Sequence, residues 1–199
     1  MTALGQPLDT AALTAGEGVP EEWTVLGHIV QEEGRLEVRR TWLRRTRGGQ
    51  TAVILDFAAG GRGYPAALPF FVRGQIDLRL VPTLFPQRAV LAGAPVWNPD
   101  GEMPPLPPVS VAELHAQYAH ALAHDPWLER IGAHVGPVWL LPDPPEAHDL
   151  HGHALPLIGS DLFLLLAHAE GKPATLFGEW NGEGFEVISL IDHPPEARA

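Results

Sequence analysis

The chain has 199 residues, 45% of them hydrophobic, and a formal net charge of −11. That is enough apolar surface for one domain burying roughly 70% of what its unfolded chain exposes. The charge weighs against a general polyanion binder, whose affinity comes from clustered Lys and Arg. The absence of cysteine excludes a disulfide framework, a thiolate nucleophile and a thiolate metal site.

Residues 1–20 are small, polar and Ala/Gly-rich and read as a flexible lead-in; residues 21–192 are expected to form a single α+β domain, and 193–199 a tail. Trp23 to Phe57 is the best-organised stretch. Two apolar-rich runs, Trp23 to Val30 and Leu36 to Leu43, are joined by Gln31-Glu32-Glu33-Gly34, and a third, Thr51 to Phe57, follows Gly48-Gly49. Short β-branched and aromatic runs separated by Gly-containing turns predict a three-stranded antiparallel meander. Two-residue turns at Glu33-Gly34 and Gly48-Gly49 would set Val25, Trp42 and Leu55 in one buried cross-strand row. The same register puts Asp56 opposite Thr41 and diagonal to Arg39, where a cross-strand ion pair would offset the cost of a carboxylate in an apolar strand.

Phe70 to Val72, Gln75 to Val81 and Phe85 to Leu91 are further strand candidates. Residues 93–108 carry six prolines and predict a loop. Ser110 followed by Glu113 makes a capping box for a helix through Val111, Leu114, Tyr118, Ala121 and Leu122, ending near His124 because Pro126 disfavours helical geometry at Asp125. Trp127 to His134 suggests a short second helical turn. Val138 to Leu141 and Ala154 to Ile158 read as strands. Ser160 opens a second helix to Glu170, apolar nearly all round and therefore expected to be buried. Two closing strands, Thr175 to Trp180 and Phe185 to Ile191, flank the turn Asn181-Gly182-Glu183-Gly184. The expected fold is α+β: an antiparallel sheet, built from the meander and the C-terminal hairpin, packed with about two helices.

Six of the twelve arginines lie between Arg35 and Arg47: Arg35, Arg39, Arg40, Arg44, Arg45 and Arg47. On a hairpin they suggest a nucleic-acid-binding β-ribbon; as long side chains flanking Trp42 they suggest cover for apolar surface and pairing with carboxylates. His148, His151 and His153 have the alternation that can turn imidazoles to one face toward a metal, which would make the chain a metal-dependent hydrolase. A polar loop is the plainer alternative. His115, His120 and His124 fall on the first helix and read as exposed face residues. Gly60-Gly61-Arg62-Gly63 lacks the spacing and lysine of a phosphate-binding loop, and no serine has a nucleophile's surroundings. No residue is assigned to catalysis and no cofactor is expected.

Arg39-Arg40-Thr41-Trp42-Leu43, Leu55-Asp56-Phe57-Ala58, Leu84-Phe85-Pro86 with Arg88-Ala89, Asp125-Pro126-Trp127-Leu128 and Phe177-Gly178-Glu179-Trp180-Asn181-Gly182 occur in this order over most of the chain. The set resembles the region C-terminal to the zinc finger in bacterial SWIM zinc-finger family proteins. Their zinc is held by cysteine and histidine, so zinc binding does not carry over to a cysteine-free chain, which is expected to be a split partner, a reduced member or a fragment. Such proteins are commonly encoded beside MoxR-type AAA+ ATPases and von Willebrand factor A proteins. The resemblance therefore implies a non-enzymatic accessory subunit that works with those partners. No apolar run approaches the ~20 residues of a membrane span and the N-terminus lacks a secretory pattern, so a cytoplasmic location is expected.

Overall fold

In a computed structural model of the chain, residues 20–33, 36–58, 63–81, 86–99, 107–159 and 161–191 are described. Arg35, Ser160, the Glu33-Gly34 turn, most of the Gly60–Gly63 segment, the lead-in and the tail lie outside them, in whole or in part. The described residues are mainly β-structure with two helices. Their contacts cluster into two compact units. Of the described residues, one takes in those within 20–25, 30–81 and 87–99; the other takes in 26–29, 86 and those from 107 onward.

The first unit is a seven-stranded sheet of order β5-β6-β3-β2-β1-β4-β7. Its members are β1 (Glu21–Glu33), β2 (Leu36–Arg45), β3 (Thr51–Ala58), β4 (Arg73–Ile76), β5 (Leu78–Leu80), β6 (Arg88–Leu91) and β7 (Val96–Asn98). The meander is present, but its β2–β3 register differs by two residues from the expected one: Trp42 stands opposite Val53, and Arg39 directly opposite Asp56. The connection explains the shift. Thr46-Arg47-Gly48-Gly49 forms a four-residue loop closed by Arg45 N donating to Gln50 O at 2.8 Å, with φ of +83° at Gly48 and +66° at Gly49, a conformation that glycine adopts without steric cost. A two-residue shift preserves the face on which each side chain lies.

The expected row of Val25, Trp42 and Leu55 does not form. Val25 packs with Trp23, Leu43, Ala52, Ile54, Ile76 and Ala89, and Trp42, the neighbour of Leu43, points to the other face of the pleat. Trp42 is nonetheless 2% exposed, because β2 is covered on both faces. Two further differences lie nearby. The proline-rich stretch holds β7, paired with β4, and β6 runs parallel to β3, so the sheet is not purely antiparallel.

The second unit is a closed five-stranded barrel of order β10-β12-β11-β8-β9, sealed by β9–β10 pairing. It is built from β8 (Ile131–Pro142), β9 (Pro145–Asp149), β10 (Ala154–Ile158), β11 (Ala174–Trp180) and β12 (Phe185–Ile191). The C-terminal hairpin thus belongs to a different sheet from the meander. β10 and β12 are parallel; the other barrel pairs are antiparallel. Val135, Val138, Ala147, Leu155, Leu176, Trp180 and Phe185 share the buried cluster of this unit. Ile131 to His134, expected to turn helically, instead opens β8.

Helix α1 (Val111–His124) begins and ends where its capping residues predict: Ser110 and Glu113 complete the capping box, and Asp125 caps the C-terminus in an extended conformation. Val111, Leu114 and Ala121 of this helix are buried. Helix α2 (Leu162–Ala169) has Asp161 as its N-cap and Glu170, in the left-handed conformation, as its C-cap. It packs against β8, yet Ala169 is its one buried residue. Phe163 is 86% and Leu164 58% exposed. The expectation of a buried second helix is therefore wrong. Apolar composition states what a side chain would prefer to touch, but a helix lying on one strand can bury only one flank.

Candidate functional site

Two places carry the chemistry-bearing residues of the sequence, and a third presents exposed apolar side chains. The arginine block divides by depth. Arg39 and Arg40 are each 6% exposed. Arg39 donates to Asp56 Oδ2 through Nε at 3.1 Å and Nη2 at 2.7 Å, and through Nη2 to the Pro65 carbonyl at 2.9 Å. Its guanidinium carbon also lies 4.9 Å from the centroid of the Tyr64 ring. This side chain is committed to the sheet. Arg44 is half-buried, and burial pushes its pKa down from the usual guanidinium value. Arg45 is half-buried and meets Glu21, while Arg47 is exposed. Of the described arginines in the block, only the three at the hairpin end reach the surface. Arg39 and Arg40 lie buried in the sheet rather than at its surface.

The histidine segment is held by an aspartate. Asp149, at the end of β9, is 7% exposed. Its Oδ1 accepts from the backbone N–H of His151 and of His153, both at 2.9 Å. Its Oδ2 accepts from Val111 N at 3.3 Å and meets His153 Nδ1 at 3.1 Å. Burial pushes this carboxyl's pKa up, but the donors from His153 and His151 outweigh it and hold the pKa down at about 2. Asp149 thus ties the 149–153 turn to the first turn of α1. His148, on β9, is taken up differently: its Nε2 lies 2.7 Å from Glu146 Oε2. The His151 and His153 ring centroids are 6.2 Å apart. Among the described residues no group of three or more His, Asp or Glu is placed to hold a metal. On α1, His124 Nδ1 lies 2.8 Å from the His120 carbonyl, a local contact along the helix. Glu179, whose side chain is 1% exposed, is paired with Arg130 at 3.2 Å.

The third place was not expected from sequence. Phe163 and Leu164 of α2 stand out from the barrel unit, and Trp127, in the turn after α1, is 79% exposed. The Trp127 turn is itself ordered by Asp125 Oδ1, which accepts from Trp127 N at 3.1 Å. A contiguous exposed apolar patch can mark an interaction surface, and Phe163 and Leu164 are adjacent on α2. The sequence signal was present in Leu162-Phe163-Leu164-Leu165-Leu166, but it reads equally as core.

No family model, curated protein or solved structure matches the chain. The geometry therefore carries the functional argument. Among the described residues no helix is long and apolar enough to cross a membrane.

Proposed function

We propose that the protein is a non-enzymatic interaction subunit that docks another protein through the exposed apolar side chains of α2. The observation that carries this reading is the exposure of Phe163 and Leu164 on a helix whose caps are nevertheless complete. A solvated helix face gains nothing from two adjacent large apolar side chains, whereas a protein partner would remove them from water at about 25 cal/mol per Å². The resemblance of the sequence to the SWIM family region supports a partner of the kind encoded beside such proteins, a MoxR-type AAA+ ATPase or a von Willebrand factor A protein.

The test is co-elution of the purified chain with each of those proteins in size-exclusion chromatography. Wild type is expected to co-elute with one of them, and a Phe163→Asp, Leu164→Ser double variant to elute alone with an unchanged melting temperature. A double variant that still co-elutes removes α2 from the interface. A wild type that binds neither protein removes the partner assignment.

Nucleic-acid binding through the hairpin ranks lower, because burial of Arg39 and Arg40 leaves Arg44, Arg45 and Arg47 to meet phosphate. Metal-dependent hydrolysis ranks lower again, since His148 and His153 each already face a carboxylate.

A further inference from the structure

At one end of the first unit's sheet lies a cleft of about 330 Å³ lined by Pro20, Glu21, Glu22, Arg45, Arg47 and Gln75. Its volume is at the small end of ligand sites, and its wall is charged in both senses. Strand pairing builds it: Glu22 stands opposite Gln75 across β1 and β4, and Thr46 N donates to Glu22 O at 2.9 Å. The start of β1, the end of β2 and the middle of β4 therefore converge.

The cations here are under-used. Arg39, by contrast, spends both Nε and Nη2 on acceptors. Arg45 meets Glu21 through Nη1 alone, with both carboxylate oxygens at 3.2 Å. Arg73, next to the cleft, meets Glu22 through Nη1 at 3.5 Å. The Nε atoms of Arg45 and Arg73 and the Thr46 hydroxyl are shielded from solvent without a hydrogen-bond partner. Arg47 is exposed and has no partner among the described residues. A shielded donor left unmade is costly, and the side-on face of a guanidinium, Nε with Nη2, matches a carboxylate bidentately.

We infer that this cleft binds a small zwitterion bearing a carboxylate and an ammonium group, of the amino-acid type. The carboxylate lies against Arg47 and the guanidinium of Arg45, which turns from Glu21 and thereby uncovers its shielded Nε to meet it. The freed Glu21, with Glu22, takes the ammonium group, and the Gln75 amide supplies a neutral hydrogen bond at the mouth. The balance of two arginines and two glutamates in the lining selects a zwitterion over a plain anion, because a plain anion would leave Glu21 and Glu22 facing it with like charge. This inference is independent of docking by α2.

The experiment is an NMR titration of the full chain with glutamine, acetate and inorganic phosphate in turn, following the Arg Nε–H and Gln side-chain amide signals. Glutamine is expected to shift the Arg45, Arg47 and Gln75 signals and to saturate below about 10 mM, with acetate and phosphate weaker by about tenfold or more. Arg47→Ala is expected to weaken glutamine binding about tenfold, as loss of a charge-assisted hydrogen bond does. Lys172→Ala, in the other unit, should leave it unchanged. Arg47 is exposed, so its removal leaves folding intact, which the amide spectrum will show. Equal response to acetate or phosphate, no saturable shift with glutamine, or an unaffected Arg47→Ala variant would each overturn the inference.

Discussion

Arg39 and Asp56 face each other directly across β2 and β3 and join through two guanidinium nitrogens on one carboxylate oxygen, the shorter contact being 2.7 Å. The pair is buried on one side only: the Arg39 side chain is 7% exposed and that of Asp56 19%. Removing the acid strands a cation that the sheet has already desolvated. Asp56→Ala should therefore destabilise the chain by about 2–4 kcal/mol, near the lower end of the cost of breaking a buried pair. Asp56→Asn, which keeps an acceptor, should cost less. Urea unfolding monitored by tryptophan fluorescence measures both; a loss below about 0.5 kcal/mol for Asp56→Ala would mean the pair is solvated.

Asp149 predicts a pH dependence. Its folded-state pKa of about 2 lies below the ordinary aspartate value of 3.8, so its contribution to stability is fully present above about pH 4 and is lost as pH falls through about 2. Asp149→Asn should be less stable than wild type at neutral pH, and the gap should close between about pH 4 and 2. Carboxyl-carbon NMR of the wild type should place the midpoint near the lower value. A midpoint at or above the unfolded value would show that the His151 and His153 amides do not hold the charge.

Two phenylalanines should respond unequally to truncation. Phe177 is fully buried on β11, with its ring centroid 4.8 Å from that of His134, and Phe177→Ala should cost about 3–5 kcal/mol. Phe163→Ala, on the open face of α2, should change stability by no more than about 0.5 kcal/mol. Thermal unfolding of the two variants compares them. A large loss at Phe163 would mean that α2 is covered.

Gly178 sits at the irregularity in the β11–β12 pairing. A Cβ there would collide with the Glu186 carbonyl oxygen and come within 2.7 Å and 2.9 Å of the Phe185 ring. Both neighbours are barrel residues, so the overpacking has nowhere to relax, and Gly178→Ala should cost about 1–3 kcal/mol or more. Gly93→Ala, with nothing within 4 Å of the added carbon, serves as the comparison. Chemical denaturation that ranks the two equally would refute the close approach.

Nucleic acid is expected to bind negligibly at ~150 mM salt, since a chain of net charge −11 repels polyanions outside the small patch of Arg44, Arg45 and Arg47. A gel shift is the measurement. Sub-micromolar affinity, lost on Arg45→Ala and Arg47→Ala and falling with salt by about 0.9 log units per phosphate contact, would promote the hairpin to the functional surface.

What the residues determined by themselves was local. Ser110 and Glu113 start α1, and Pro126 ends it, through bonds and clashes within one turn of backbone. Asn181-Gly182-Glu183-Gly184 makes the last hairpin because the Asn181 side chain accepts from Glu183 N and Gly184 N, again within four residues. What only the tertiary structure decided depends on partners far along the chain. The β2–β3 register followed from a four-residue loop rather than a two-residue one, an alternative that Gly48-Gly49 permits equally. Barrel closure required β10 to lie parallel to β12, a pairing with no turn between the strands to announce it. Leu162 to Leu166 reads as core in any apolarity pattern; its exposure was decided by how much barrel surface lay within reach. Arg39 and Arg47 are the same residue type in the same block, and only the fold, which set Arg39 on a covered strand and Arg47 in an exposed loop, made one a structural cation and the other a surface one.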